Sequence, residues 1–121
     1  MQVWAVIAQK GGQSKTTLST GFAVEAAREG ASVVILDADD RQGSALYWSE
    51  RRDDDDVMVK DSSVAGLPLH VSRGRSSGKI DLIIIDTPAN SKDIAMLAAE
   101  QADFVIIPVS YTHLTLPTSD L

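Results

Sequence analysis

Cysteine is absent from this chain of 121 residues. Disulfides, thiolate nucleophiles and cysteine-ligated zinc are therefore excluded, and the absence fits a reducing, cytoplasmic setting. Long apolar runs are missing too. No segment approaches the ~20 residues of a membrane span, and the opening MQVWAVIAQK lacks both the length and the basic n-region of a signal peptide. No membrane attachment is expected. Positive charge is scarce. Lys and Arg number 11 against 17 acidic residues, a formal net charge of -6. Arg51, Arg52, Arg73, Arg75 and Lys79 are the basic candidates, and the acidic run Asp53 to Asp56 follows the first pair. Charge alone does not support DNA contact, which needs clustered cations to displace counterions. A dimer that assembles scattered residues into one patch leaves such contact open. The two histidines, His70 and His113, are far apart and lack ligand-spaced companions. The length suffices for one domain with one core.

What the chain does contain is a series of short, β-branched apolar runs separated by helical patterns. Val3 to Ala8 is nearly continuous rather than alternating, as expected of a strand buried on both faces. Thr16 to Arg28 then reads as a helix, with Leu18, Phe22, Ala23, Ala26 and Ala27 at three- and four-residue spacing and Gly30 as its cap. Ser32 to Leu36 is a second strand. Ser44 opens a helix to about Arg52, and Asp53 to Asp56 is a solvated break. Val57 to Val59 and Leu67 to Val71 read as weaker strands, and Ser72 to Gly78 as a loop or at best a very weak helix. Leu82 to Ile85 is the third strong strand. Ser91 to Gln101 is a helix with Ile94, Leu97 and Ala98 on one face, and Phe104 to Val109 is the fourth strong strand. This alternation predicts an α/β fold: a mainly parallel sheet with helices on both faces and functional loops at the carboxyl ends of its strands. Residues 1–109 are expected to form the domain. Ser110 to Leu121 neither caps the last strand nor starts a covering helix. It resembles read-through of sequencing-adapter DNA, and is expected to be a non-native or disordered tail behind a truncated domain.

The strongest chemical signal is Lys10-Gly11-Gly12-Gln13-Ser14-Lys15-Thr16-Thr17, between a strand and a helix. Glycines there let backbone N–H groups face a phosphate, and the helix adds its amino-terminal dipole. Lys15 is placed to reach the β- and γ-phosphates of ATP, and Thr16 to offer a hydroxyl to Mg2+. Ser14 stands where the general pattern has glycine, and a left-handed conformation there costs about 1 kcal/mol. The bland reading is a chance glycine-rich turn. Asp86 ends the Leu82 to Ile85 run, where a carboxylate can orient a magnesium-bound water. Thr87-Pro88 turns the chain out of the strand. In Asp37-Ala38-Asp39, alternate residues point the same way. One carboxylate can then lie near the metal and the other can hold the attacking water, a pairing that makes sense beside a cation. A solvated loop is the alternative, and Asp40 and Gln42 are weaker candidates.

Together these motifs resemble the ParA/MinD group of deviant Walker ATPases, nearer the plasmid and chromosome partition branch. That family's loop reads Lys-Gly-Gly-x-Gly-Lys-Thr/Ser-Thr/Ser, and residues 10–17 match it except at Ser14. Its switch, Asp-x-Asp-Pro-Gln-Gly-Ser, is similar to Asp37 to Ser44 with one extra residue, and its Asp-Thr-Pro matches Asp86-Thr87-Pro88. Such a protein is a P-loop NTPase-like fold longer than this chain, which matches its amino-terminal part. The resemblance implies a nucleotide contact set of Gly11, Gly12, Gln13, Ser14, Lys15, Thr16 and Thr17. It implies magnesium at Thr16, Asp37 and Asp86, and catalysis by Lys10, Lys15 and Asp39. Lys10 would be the signature lysine that reaches the partner subunit's nucleotide in an ATP-dependent homodimer, and Asp39 would act beside the attacking water. In the partition branch such dimers bind DNA non-specifically, and a partner protein on a centromere-like site stimulates hydrolysis. The membrane helix of the division-site branch would lie beyond residue 121. Trp48, Arg51 and Arg52 also resemble partition-type sequences, although Trp48 at the core edge beside two solvated arginines is the favoured account of them. Rival readings are a dethiobiotin-synthetase-like ligase and a nucleotide-responsive DNA-binding or scaffold protein with little hydrolysis. Nitrogenase-reductase-like chemistry would need the cysteines that are missing.

Overall fold

A computed structural model of the chain describes residues 1–7, 13–38, 44–88 and 91–108, with 13–16 and 44 described by backbone alone. Five strands form one sheet: β1 (Gln2–Val6), β2 (Val33–Asp37), β3 (Val57–Asp61), β4 (Leu82–Asp86) and β5 (Phe104–Ile106). Among the described residues four α-helices connect them, α1 (Gln13–Arg28), α2 (Ser44–Glu50), α3 (Leu67–Ser77) and α4 (Lys92–Gln101), with a short 3-10 turn at Val64–Gly66 before α3. The strand order is β3-β2-β4-β1-β5, and every neighbouring pair is parallel. The expected α/β class and parallel sheet are thus what the chain forms.

Side-chain alternation divides the core between the two faces of the sheet. Val3, Ala5, Val34, Leu36, Ile83 and Ile85 pack on one face with Leu67 and Val71 of α3 and Ala98 of α4. Val6, Val33, Ile35, Leu82 and Ile84 pack on the other with Ala23 of α1 and Ala45 of α2. β2 and β4 are buried along their whole length. Burying each large aliphatic side chain there contributes about 1.5–3 kcal/mol. Leu18, Phe22, Ala26 and Ala27 lie against the second cluster, as their spacing predicts. Beyond α1, the N–H of Ala31 donates to the Ala26 carbonyl and that of Gly30 to Ala27, both at 3.0 Å. This is a Schellman closure, and Gly30 at φ +91° supplies the left-handed residue it needs.

One expectation is wrong. Leu67 to Val71 is no strand, and of the two readings of Ser72 to Gly78 the helix holds through Ser77, because Leu67–Ser77 is a single helix. Leu67, Val71 and Gly74 are its buried positions, at helical spacing. Pro68 in the first turn and Gly78 at φ +66° beyond the end mark its limits. Gly74 belongs to the packing: a Cβ there would lie 2.9 Å from Ile83 Cδ1 and 3.3 Å from Met1 Sδ. Smaller differences follow from edges. α1 begins at Gln13 rather than Thr16, and Leu97 is exposed although Ala98 beside it is buried. β5 ends at Ile106, and Phe104, Val105 and Ile107 are exposed along that edge. Val109 and residues 110–121 lie outside the described residues. Among the described residues no helix is long and apolar enough to cross a membrane.

Candidate functional site

Strands β1 and β4 are neighbours whose outgoing connections diverge. The chain leaving β1 runs through α1 to β2 on one side, and the chain leaving β4 runs through α4 to β5 on the other. Open parallel sheets bind ligands in the crevice at the carboxyl ends of such a divergent pair.

Two carboxylates stand there. Asp86 ends β4 and Asp37 ends β2, and both are completely buried. They are partners in the β2–β4 register, on strands about 4.8 Å apart. Asp37 continues the row Val33, Ile35, and Asp86 the row Leu82, Ile84, so both point to the α1 and α2 face. Each is held by a different helix. Asp37 Oδ2 accepts from the backbone N–H groups of Ala45 at 3.2 Å and Leu46 at 3.3 Å, in the first turn of α2. Ser19 Oγ, on α1 and itself fully buried, donates to Asp86 Oδ1 at 3.3 Å. The backbones interlock as well: the N–H of Ala38 donates to the Asp86 carbonyl and that of Ser62 to the Asp37 carbonyl, both at 2.9 Å.

Two buried carboxylates side by side repel unless a cation or hydrogen bonds compensate. All the donors of this pair are oxygens, the set a hard divalent cation takes. Magnesium in particular is usually held by one or two carboxylates together with phosphate oxygens. Among the described residues no three His, Cys, Asp or Glu side chains gather around one metal position. The pair therefore fits a cation whose remaining ligands come from elsewhere.

The other expected site residues are placed unevenly. Gln13, Ser14, Lys15 and Thr16 form the first turn of α1, described by backbone, and Thr17 follows them on an exposed position. The turn that carries Lys15 therefore opens the helix whose next turn holds Asp86 through Ser19. Lys10, Gly11, Gly12, Asp39, Asp40 and Gln42 lie outside the described residues. Trp48 packs against the core edge as expected. Arg52 is not simply solvated, which corrects the bland reading. Its guanidinium lies 4.7 Å from the Trp48 ring centroid and 3.1 Å from Asp56 Oδ1, with Asp54 at 3.8 Å. The acidic run thus neutralises the second arginine, while Arg51 remains exposed over Tyr47.

The contacts of four polar residues were not foreseen. Ser19 was legible as a polar residue on the apolar stripe of α1, four before Ala23. Thr87 Oγ1 donates to the Val6 carbonyl at 3.0 Å, a bond across strands that no local pattern announces. At the β3 edge, Ser62 Oγ and His70 Nδ1 are 2.9 Å apart. Burial holds the His70 imidazole below its ordinary pKa, and the nearby charges of Lys60 and Arg73 push it the same way.

Residues 4–110 match the family described as CbiA, the CobQ/CobB/MinD/ParA nucleotide binding domain. No curated protein matches the chain. Among solved structures, a nucleotide-binding protein from Archaeoglobus fulgidus in complex with ADP is 25% identical, with 98% of this chain aligned to 58% of that one and a TM-score of 0.64. The MinD cell division protein of Aquifex aeolicus is 23% identical over 88% of this chain and 56% of its own, with a TM-score of 0.68. The septum site-determining protein MinD of Pyrococcus horikoshii, complexed with Mg-ADP, is 19% identical over 88% and 56%, with a TM-score of 0.63. The last two likenesses are of fold. The chain spans little more than half the length of each of these proteins.

Proposed function

The chain belongs to the CobQ/CobB/MinD/ParA nucleotide-binding family, and from that premise we propose that it binds and hydrolyses ATP with Mg2+ as a nucleotide switch for plasmid or chromosome partition. The observation that carries the reading is the pair Asp37 and Asp86, both fully buried, in register at the centre of the sheet and on the face of α1. A divalent cation bound beside two such carboxylates offsets their mutual repulsion. The ADP and Mg-ADP in two of the similar structures add support for the ligand class.

In this reading the loop from Lys10 to Thr17 wraps the phosphates with backbone N–H groups, and Lys15 reaches the β- and γ-phosphates. Gly11, Gly12, Gln13, Ser14 and Thr17 complete the contact. Thr16, Asp37 and Asp86 hold the magnesium, which when bound neutralises phosphate charge. Asp39 orients a water for in-line attack on the γ-phosphate, and ADP and phosphate leave. Lys10 acts across an ATP-dependent homodimer, on the partner subunit's nucleotide. In the cytoplasm the dimer would engage DNA non-specifically and respond to a centromere-binding partner protein.

The test is phosphate release and sedimentation with ATP, with and without magnesium. Wild type should dimerise and release phosphate. Lys15→Ala should do neither, and Lys10→Ala should bind ATP without dimer-dependent release. Saturable binding with no phosphate release would favour the low-hydrolysis switch. Phosphate release only with an added carboxylic-acid or amine substrate would favour a ligase.

A further inference from the structure

Thr87 follows Asp86 at the tip of β4 and has no part in the chemistry above, yet its side chain is completely buried. Its hydroxyl donates to the Val6 carbonyl at 3.0 Å, and its backbone N–H approaches the same oxygen at 3.5 Å. Val6 is the last residue of β1 and the register partner of Asp86. On the far side of β1, the Ile7 N–H donates to the Ile106 carbonyl at 2.9 Å. The chain is therefore gripped from both neighbours at the point where it leaves the sheet for residues 10–17.

The return from those residues is tied to the same strand. α1 begins at Gln13, and Ser19 in its second turn donates to Asp86. Departure and return are thus both referenced to β4, through Thr87 and Asp86 respectively. A parallel ladder already holds β1 to β4, so the Thr87 hydroxyl adds a specific restraint at the base of the loop. Sites that bind through many converging donors lose affinity when their support slips by a fraction of an ångström. We propose that Thr87 is a positioning residue: its hydroxyl fixes where the phosphate-binding loop leaves β1 relative to Asp86, and so sets nucleotide affinity. The proposal rests on the nucleotide-binding reading above.

Thr87→Val keeps the volume and removes the donor, whereas Thr87→Ser keeps the donor. Both are compared with wild type in the full chain by equilibrium ATP binding with magnesium, by amide exchange without ligand, and by urea unfolding. Thr87→Val should weaken ATP binding about tenfold, the scale of one lost buried hydrogen bond, and speed exchange around residues 5–12. Thr87→Ser should stay within about twofold of wild type in both. Should Thr87→Val not fold, Thr87→Ala against Thr87→Ser makes the same comparison. Unchanged affinity in Thr87→Val, with or without a lower urea midpoint, overturns the proposal. So does an equal loss in Thr87→Val and Thr87→Ser, which would assign the effect to side-chain packing in general rather than to the hydroxyl. If wild type binds no ATP, the nucleotide reading falls and this proposal with it, an outcome distinct from a wild type that binds and a Thr87→Val that binds equally well.

Discussion

Asp61 and Asp86 end their strands at the same level of the sheet. Both are linked through Asp37, the register partner of each, and both follow apolar residues on the α1 and α2 face. Their surroundings are opposite. Asp61 closes the edge strand β3 and is exposed, whereas Asp86 closes the central strand β4 and is completely buried. β4 has β2 on one side, β1 on the other and helices on both faces, whereas among the described residues β3 pairs with β2 alone. A carboxylate in water needs no partner. One at the centre is held by Ser19, so the same residue type at the same level is a surface charge at the edge and a hydrogen-bonded buried group where the fold removes its water.

The energetic contrast should be largest in the strands themselves. Ile84→Ala, in the middle of β4, should cost about 2–5 kcal/mol of stability, and Val105→Ala on the other edge strand, β5, within about 0.5 kcal/mol of nothing. Urea unfolding measures both, and similar costs would break the distinction between centre and edge. The helices that cover the centre should repeat it at smaller scale. Gly74→Val drives a side chain against Ile83 and should cost about 1–3 kcal/mol. Gly21→Ala, where an added Cβ meets nothing within 4 Å, should instead raise stability by about 0.5–1 kcal/mol. The smallest effect belongs to the β3 edge. Burial lowers the His70 pKa in the folded chain, so the unfolded chain takes up its proton at higher pH. Stability should then fall as pH drops below about 6.5, the ordinary histidine value, and level off once the folded imidazole is protonated. Comparing urea midpoints at pH 8 and pH 5 between wild type and His70→Gln isolates this share, which the substitution should remove.

Much of this was readable beforehand, for a physical reason. A strand buried on both faces needs an unbroken β-branched run, and β2 and β4 show one that ends in aspartate. The helix expected after residues 10–12 is present as α1, and the phosphate-binding role of residues 10–17 belongs to the proposal. The segment 67–78 was misread because its buried stripe is thin: Leu67, Val71 and a glycine, among serines and arginines that resemble a loop. Its helical character comes from packing against Ile83, which is distant in sequence. The strand order was equally out of reach, since neither β1 nor β4 records in its own residues that the two are neighbours. The bonds of Ser19 and Thr87 depend on that order, and so became visible only with it. The roles expected of Lys10, Gly11, Gly12 and Asp39 concern residues outside those described.

The central claim is that burial at the middle of the sheet turns Asp86 into part of a magnesium-nucleotide site while Asp61 stays a surface charge. Calorimetric titration of ATP with and without magnesium, on wild type, Asp86→Asn and Asp61→Asn, tests it most directly. The account predicts that wild type binds ATP more tightly with magnesium, that Asp61→Asn behaves alike, and that Asp86→Asn loses the magnesium-dependent part by about tenfold or more while remaining folded. A folded Asp86→Asn that keeps the full magnesium effect, or a wild type with none, would contradict it.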